Sequence, residues 1–191
     1  MSKERMLAFS DGVIAVLITI MVLELKVPHG ADWAAVAPLV PVFLTYILSY
    51  VVLGIYWNNH HHMFQLCHRI NGMILWANLH LLFWLSLIPF VTGWMGENHF
   101  ASLPTAAYGV VMVGAALSYT ILQMTIVKEE GPDSKLAAAV GSDRKGKLSL
   151  VMYVAAIPLA FVNQFLSDAL YVAVALTWFL PDRRIEKTIQ R

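Results

Sequence analysis

The chain alternates between long apolar runs and short polar breaks. Six runs stand out, at about 6–26, 34–57, 71–94, 104–127, 147–165 and 168–180. Most approach the roughly 20 residues that an α-helix needs to cross a hydrocarbon core about 30 Å thick. The alternating segments of about 10 residues that mark a membrane β-barrel are absent. The pattern predicts an all-α fold, a polytopic membrane protein whose six transmembrane helices form one unit over 1–191. The first run stops at Lys26-Val27-Pro28-His29-Gly30. The second ends in Trp57-Asn58-Asn59 and three histidines, and the sixth stops at Pro181-Asp182. Asn163-Gln164 to Asp168 alone separate the fifth from the sixth, which predicts a tight helical hairpin. The longest break, 128–146, has mixed charges and Gly131-Pro132 and reads as a flexible connection.

Composition agrees with this picture. Hydrophobic residues make up 59% and charged residues 13%, against about 25% charged in soluble domains. The net charge of +1 says little, but the placement of the charges says more. With the N-terminus cytoplasmic, the inner segments hold Lys3, Arg5, Arg69, Lys128, Lys135, Arg144, Lys145, Lys147, Arg183, Arg184, Lys187 and Arg191. Of the 13 basic residues only Lys26 then falls outside. The excess of Lys and Arg on the cytoplasmic side of membrane proteins therefore predicts six spans with both termini inside. The single cysteine, Cys67, excludes an internal disulfide. The first run lacks a small-residue cleavage site and is long enough to span, so it is expected to be a retained helix rather than a signal peptide. Spans one to three show no similarity to spans four to six, so no inverted repeat of the transporter kind is expected.

The first helix carries the chemistry. Arg5, Phe9, Ser10 and Asp11 sit at its inner end. An aspartate near a membrane interior is costly, and such residues pair or mark function. The alternative for Asp11 is an acid favoured by the helix macrodipole. Arg5 and Asp11 are six residues apart and not on one face, so other helices are expected to supply their partners. Further along, Val16, Thr19, Ile20 and Leu23 recur at i, i+3, i+4 and i+7 and form one stripe. Gly12 and Ala15 are read as lying near the opposite register, where small side chains permit close packing. Spacing alone does not separate a pore surface from ordinary helix packing.

Arg5-x-x-x-Phe9-Ser10-Asp11-Gly12, followed by Ala15, Ile18-Thr19 and Leu23-Glu24-Leu25, resembles the first-helix signature of the transmembrane protein 175 family. These are endosomal and lysosomal potassium channels and their bacterial relatives. Tyr56-Trp57-Asn58-Asn59-His60-His61, Trp76-x-Asn78-Leu79 and Pro89-Phe90 fit the same family, and the length matches a bacterial form with one six-helix unit. The resemblance implies a homotetramer in a bacterial inner membrane, with four first helices around a pore. It implies potassium as the permeant ion, sodium as a weaker one and protons as a further candidate. It implies no glycine-rich carbonyl filter, and the chain has none. The constriction then falls to Val16, Thr19, Ile20 and Leu23. A bulkier Ile or Leu is usual at the first of these, so the narrowest ring is expected at Ile20 or Leu23. Among Trp57, Asn58, His60, His61 and Asn78 the resemblance implies the polar partners of Arg5, Ser10 and Asp11.

Glu24 follows the stripe near the outer end. It either gathers cations at an outer mouth or is neutralised by Lys26. His60, His61, His62 and His68 are placed in the inner link after span two, and His80 within span three. Histidine clusters bind metal or haem in other settings; here hydrogen bonding to the first helix is the stronger reading. Trp33, Trp94 and His99 at outer span ends and Trp178 at an inner one suit aromatic belts. No Ser-His-Asp pattern, phosphate loop or carboxylate pair points to an enzyme. No metal, cofactor or nucleic-acid partner is expected. The competing function is a small proton-coupled transporter using Asp11 or His80, which helix breaks in paired spans favour. The candidate breakers are Pro38, Pro41, Pro89 and Pro158, read as lying near span ends. A third possibility, a membrane redox enzyme, requires histidine-bound haem and hence a coloured protein.

Overall fold

The structure is a computed structural model that describes residues 2–141 and 143–179. Among these, no strand occurs. The first helix, α1, runs Lys3–Ile20 and tightens into a 3₁₀ turn over Met21–Glu24. A short α2 (Trp33–Val36) and a 3₁₀ turn (Ala37–Leu39) lead into α3, Val40–Gln65. Then come α4 (Gly72–Ser86), α5 (Ile88–Glu97), α6 (Ser102–Glu130), α7 (Lys135–Val140), α8 (Arg144–Val162) and α9 (Gln164–Phe179).

Five helical stretches are long and apolar enough to cross a membrane: Lys3–Glu24, Trp33–Gln65, Gly72–Glu97, Ser102–Glu130 and Arg144–Val162. Gln164–Phe179 is apolar but shorter. Polar caps set the starts. Ser2 accepts from the Arg5 amide at 3.4 Å, Asn71 from Ile74 at 2.9 Å, and Asp143 from Gly146 at 3.1 Å. Each satisfies a backbone donor that a helix leaves open in its first turn. α6 ends at Gly131, whose φ of 96° suits a residue without a Cβ.

Four expectations are corrected. Span two does not end at Trp57 but continues to Gln65, so His60, His61 and His62 ride on the last turns of α3 and only His68 lies in the link. Span three is interrupted. α4 stops at Ser86 and α5 restarts at Ile88 with Pro89 in its first turn, so Pro89 sits within the span rather than near its end. Proline cannot donate to the preceding turn, which fixes the break there. Pro158, by contrast, lies inside the continuous α8. The flexible connection over 128–146 contains α7, capped by Ser134 and packed through buried Leu136 and Ala139. Span six begins earlier than expected, at Gln164, and a single residue, Asn163, joins it to α8. Asn163 accepts from the Phe165 amide at 3.0 Å and so starts α9 as soon as α8 ends. The expected end of span six at Leu180, its stop at Pro181-Asp182, and Arg183, Arg184, Lys187 and Arg191 lie outside the described residues.

α6 is the hub, packing against α4, α5, α8 and α9. Small residues set the approach: a Cβ at Gly114 would fall 2.2 Å from the Trp84 ring, so only glycine admits that indole. Close packing of this sort carries helix association where lipid removes the hydrophobic drive between helices. α1 sits to one side, against α3, α4 and α5.

Candidate functional site

α1 has two faces of opposite character. Met6, Ser10, Ile14, Leu17 and Met21 are buried against the rest of the chain. The other face is exposed from end to end: Arg5, Phe9, Gly12, Val16, Thr19, Ile20 and Leu23. Val16 is 58% exposed, Ile20 44% and Leu23 76%, values typical of a surface, yet the side chains are aliphatic. Gly12 and Ala15 belong to this exposed face and not to the opposite register. A Cβ at Gly12 would meet nothing within 4 Å. At 3.6 residues per turn, positions 12, 15, 16, 19, 20 and 23 share one side.

The buried face is fixed by a directional chain of hydrogen bonds. His60 Nε2 lies 2.8 Å from Asn78 Oδ1, and Asn78 Nδ2 donates to Ser10 Oγ at 2.9 Å. Ser10 Oγ donates in turn to the Met6 carbonyl at 3.0 Å. The amide oxygen of Asn78 accepts, so the proton of His60 is on Nε2, and its Nδ1 is buried without a partner. Ser10, His60 and Asn78 are each at most 2% exposed. Beside this chain, Trp57 Nε1 donates to Asp11 Oδ1 at 2.9 Å. α3 and α4 thus hold α1 through one indole and one amide.

Of the expected partners, Trp57 and Asn78 reach the motif directly and His60 reaches it through Asn78. His61 instead lies 2.9 Å from Gln65 and stacks near Trp57, at 6.1 Å between centroids. Asn58 and Arg5 have no side-chain hydrogen bond among the described residues. Arg5 and Phe9 lie on the exposed face, so the motif is divided by face: Ser10 and Asp11 anchor, whereas Arg5 and Phe9 do not.

Thr19 donates its hydroxyl back to the carbonyls of Ala15 and Val16, each at 3.0 Å. This turns the proton toward the helix and leaves oxygen lone pairs facing outward. Beyond the C-terminal end of α1, Lys26 pairs with Glu97 at 2.5 Å rather than with Glu24. The Glu97 hydrogen bond and charge hold the Lys26 ammonium above the usual lysine range. Glu24 is exposed, and its carboxylate passes over Gly93, where a Cβ would be 3.5 Å from Oε2.

Sequence reasoning missed three supports. Lys3 Nζ donates to the Cys67 carbonyl at 2.6 Å, tying the start of α1 to the link after α3. Glu130 at the end of α6 accepts from the His68 amide at 2.7 Å and the Arg69 amide at 3.0 Å, with His68 Nδ1 at 2.9 Å. Ser49 Oγ lies 2.6 Å from Thr92 Oγ1 and 3.2 Å from Tyr108 Oη, joining α3, α5 and α6 through buried hydroxyls. The signal available for the last was small polar residues within apolar runs. His80, exposed on α4, accepts from Trp84 Nε1 at 3.1 Å and lies away from α1's anchor. Among the described residues, no group of three or more His, Cys, Asp or Glu is placed to hold a metal ion.

Several membrane-length helices, with one of them hydrogen-bonded along one face and apolar and uncovered along the other, define a multi-pass helical membrane protein. Residues 5–89 match the family described as endosomal/lysosomal potassium channel TMEM175. A potassium channel from Chryseobacterium sp. (strain P1-3) is 52% identical over 190 residues, covering 100% of this chain and 99% of its own. One from Streptomyces collinus is 31% identical over 183 residues, covering 90% and 89%. The crystal structure of a lysosomal potassium-selective channel TMEM175 homolog from Chamaesiphon minutus superposes with a TM-score of 0.83 at 25% identity, over 94% of this chain and 97% of that one. The chain belongs to the TMEM175 family of channels.

Proposed function

We propose that the chain is a potassium-selective cation channel of a bacterial inner membrane, active as a homotetramer with both termini cytoplasmic. The whole chain, 1–191, serves as one six-helix unit. Four copies of α1 surround the pore. The carrying observation is the unbroken exposed face of α1, aliphatic apart from Thr19 between Val16 and Leu23, on the side opposite its anchor. The near full-length likeness to proteins named potassium channels supports the permeant ion.

Rings of Val16, Ile20 and Leu23 then form a hydrophobic constriction. Such a ring excludes water when narrow and passes a partly dehydrated ion when wide. Potassium sheds its hydration shell more readily than sodium, so the dehydration step favours potassium without carbonyl ligands. Thr19 adds hydroxyl oxygens with outward lone pairs that replace part of the shell. Glu24, whose neighbour Lys26 is engaged by Glu97, raises the cation concentration at the outer mouth. Protons are a further permeant. Arg5 and Phe9 line the inner vestibule, while Ser10 and Asp11 hold α1 to α3 and α4.

The test is flux from liposomes containing the purified protein under a potassium gradient, compared with sodium. Non-saturating potassium flux exceeding sodium flux is expected. Saturable uptake in fixed stoichiometry with protons would replace the channel by a transporter.

A further inference from the structure

The link 66–71, between α3 and α4, is held from two sides. From α1, Lys3 Nζ donates to the Cys67 carbonyl at 2.6 Å. From α6, Glu130 Oε1 accepts from the His68 and Arg69 amides, and Glu130 Oε2 meets His68 Nδ1 at 2.9 Å. Glu129 accepts from Asn71 Nδ2 at 2.6 Å. The link thus ties the start of α1 to the end of α6. An ionised carboxylate only accepts, so the proton shared between Glu130 and His68 is on Nδ1. That leaves Nε2 as the nitrogen free to take up a second proton. The His68 side chain is 77% exposed and that of Glu130 10%, so the ring meets water while the acid is nearly enclosed. Histidine is the side chain whose charge ordinarily changes between pH 5 and 8. Proton uptake at Nε2 keeps the geometry and turns the hydrogen bond into an ion pair.

We propose that His68 and Glu130 form a proton-responsive strap that positions the start of α1, tightening as pH falls and so reducing ion flux. The flux part rests on the proposed channel function. Lys3 carries the coupling. Trp57 and Asn78 fix α1 at the level of Ser10 and Asp11, and one level of attachment leaves a helix free to tilt. Lys3 adds a second level, about two turns and 10 Å earlier along the axis at 1.5 Å per residue. Two levels fix a direction. The more firmly the Cys67 carbonyl is held, the less the exposed face from Val16 to Leu23 can move. The other charged and titratable groups around the link do not supply this response. Lys3 and Glu129 are engaged as above, and the Asn71 amide that Glu129 binds does not titrate. Arg69 is exposed, and an arginine does not lose its charge in proteins. The Cys67 thiol is buried and donates to the Arg69 carbonyl at 3.2 Å. On α3, His61 lies against Gln65 and His62 rather than Glu130. Lys128 is exposed on α6.

The test compares the full chain with His68→Asn in liposomes held at one pH on both sides. Asparagine keeps a neutral donor near the Nδ1 position and cannot titrate; His68→Gln serves if that variant fails to fold. The ratio of variant to unsubstituted potassium flux should rise about threefold from pH 8 to pH 5.5, the order set by one exposed ion pair. Taking the ratio removes the response of groups elsewhere, such as Asp11 and Glu24. Lys3→Met cuts the tie to α1 and leaves the His68–Glu130 pair intact. Substituting His68 in that background should therefore leave the flux ratio flat with pH. Deuterium exchange of the Arg69 amide, corrected for its intrinsic rate, reads the strap without ion flux. Its ratio, variant over unsubstituted, should rise by about the same factor at low pH in both backgrounds. A flux ratio independent of pH, or one that rises as much in the Lys3→Met background, would overturn the proposal. If the protein conducts no ions, the channel reading falls and exchange alone decides. An exchange ratio that rises at low pH keeps the strap, and a flat one overturns it.

Discussion

Asn78 is a junction at which two helices meet a third. Its amide nitrogen donates to Ser10 and its oxygen accepts from His60, so replacing it by leucine leaves the buried His60 ring without a hydrogen-bond partner and Ser10 with only its bond to the Met6 carbonyl. Asn78→Leu is expected to destabilise the protein by about 1–3 kcal/mol, the range for an unsatisfied buried polar group. The measurement is the thermal midpoint of the detergent-solubilised protein; an unchanged midpoint would show the chain of hydrogen bonds to be dispensable. Thr19 tests the proposed pore. Thr19→Ala removes the outward oxygen but keeps the helix, so potassium over sodium selectivity should fall while flux persists, read from reversal potentials under bi-ionic conditions. An unchanged reversal potential rejects the hydroxyl ring. Ser10 and Asn78 were legible as polar residues in apolar runs, because a buried polar group must find a partner. Which partner each takes was not legible. His60, Asn58 and His61 are equivalent by composition, and only the 100° step of the helix sends His60 inward and His61 outward.

The elements were legible where apolarity and caps agree, and obscured where a polar stretch continues a helix. Asn58-Asn59-His60-His61-His62 reads as a loop, but nothing there stops a helix. Neither glycine nor proline occurs in it, and Asn59 donates back to the Ile55 carbonyl at 2.8 Å. α3 therefore runs on to Gln65. The link that follows is strapped to the end of α6 by Glu130, which the sequence shows only as an acid at a span's end. This strap covers Cys67, which is fully buried. Burial pushes its thiol up to about 11, with the Glu130 charge adding to the effect. Thiolate is the reactive form, so Cys67 should react slowly with maleimide at neutral pH. Glu130→Ala releases three hydrogen bonds and the negative charge, so both exposure and acidity of Cys67 should rise. Labelling at neutral pH is expected to accelerate, and equal rates in the two proteins would show that the strap does not cover the thiol. Since the folded-state pKa is raised, labelling of the native protein should grow as pH rises toward 11.

At the scale of the whole molecule, fold class was the most legible property, because bilayer thickness sets the length of each apolar run. The proposed pore face was the least. An exposed aliphatic face satisfies lipid as well as a second copy of the chain, and the period of the stripe is the same in both cases. What distinguishes α1 is the anchor on its other side, which needs three-dimensional contacts to see. The proposed assembly brings the Leu23 side chains of neighbouring copies together near one axis. Leu23→Cys should therefore form an intersubunit disulfide under mild oxidation, detected as a dimer on a non-reducing gel. Buried Cys67 provides an internal control, since the unsubstituted chain should stay monomeric on the same gel. Failure of Leu23→Cys to cross-link would place α1 away from the symmetry axis.

The anchor makes α1 a lever with its fulcrum near the N-terminal end. Directional bonds hold Ser10 and Asp11, while the C-terminal end is held at Met21 by van der Waals contact, which tolerates sliding. Rolling the helix about its own axis would break the Trp57 and Asn78 bonds, but tilting it about them would not. Leu23 lies about 18 Å from Asp11 at 1.5 Å per residue, so a tilt of about 5° moves it by about 1.6 Å. That is comparable to the radius of a dehydrated cation. Displacements too small to disturb the fold would suffice to open and shut the proposed ring of Leu23.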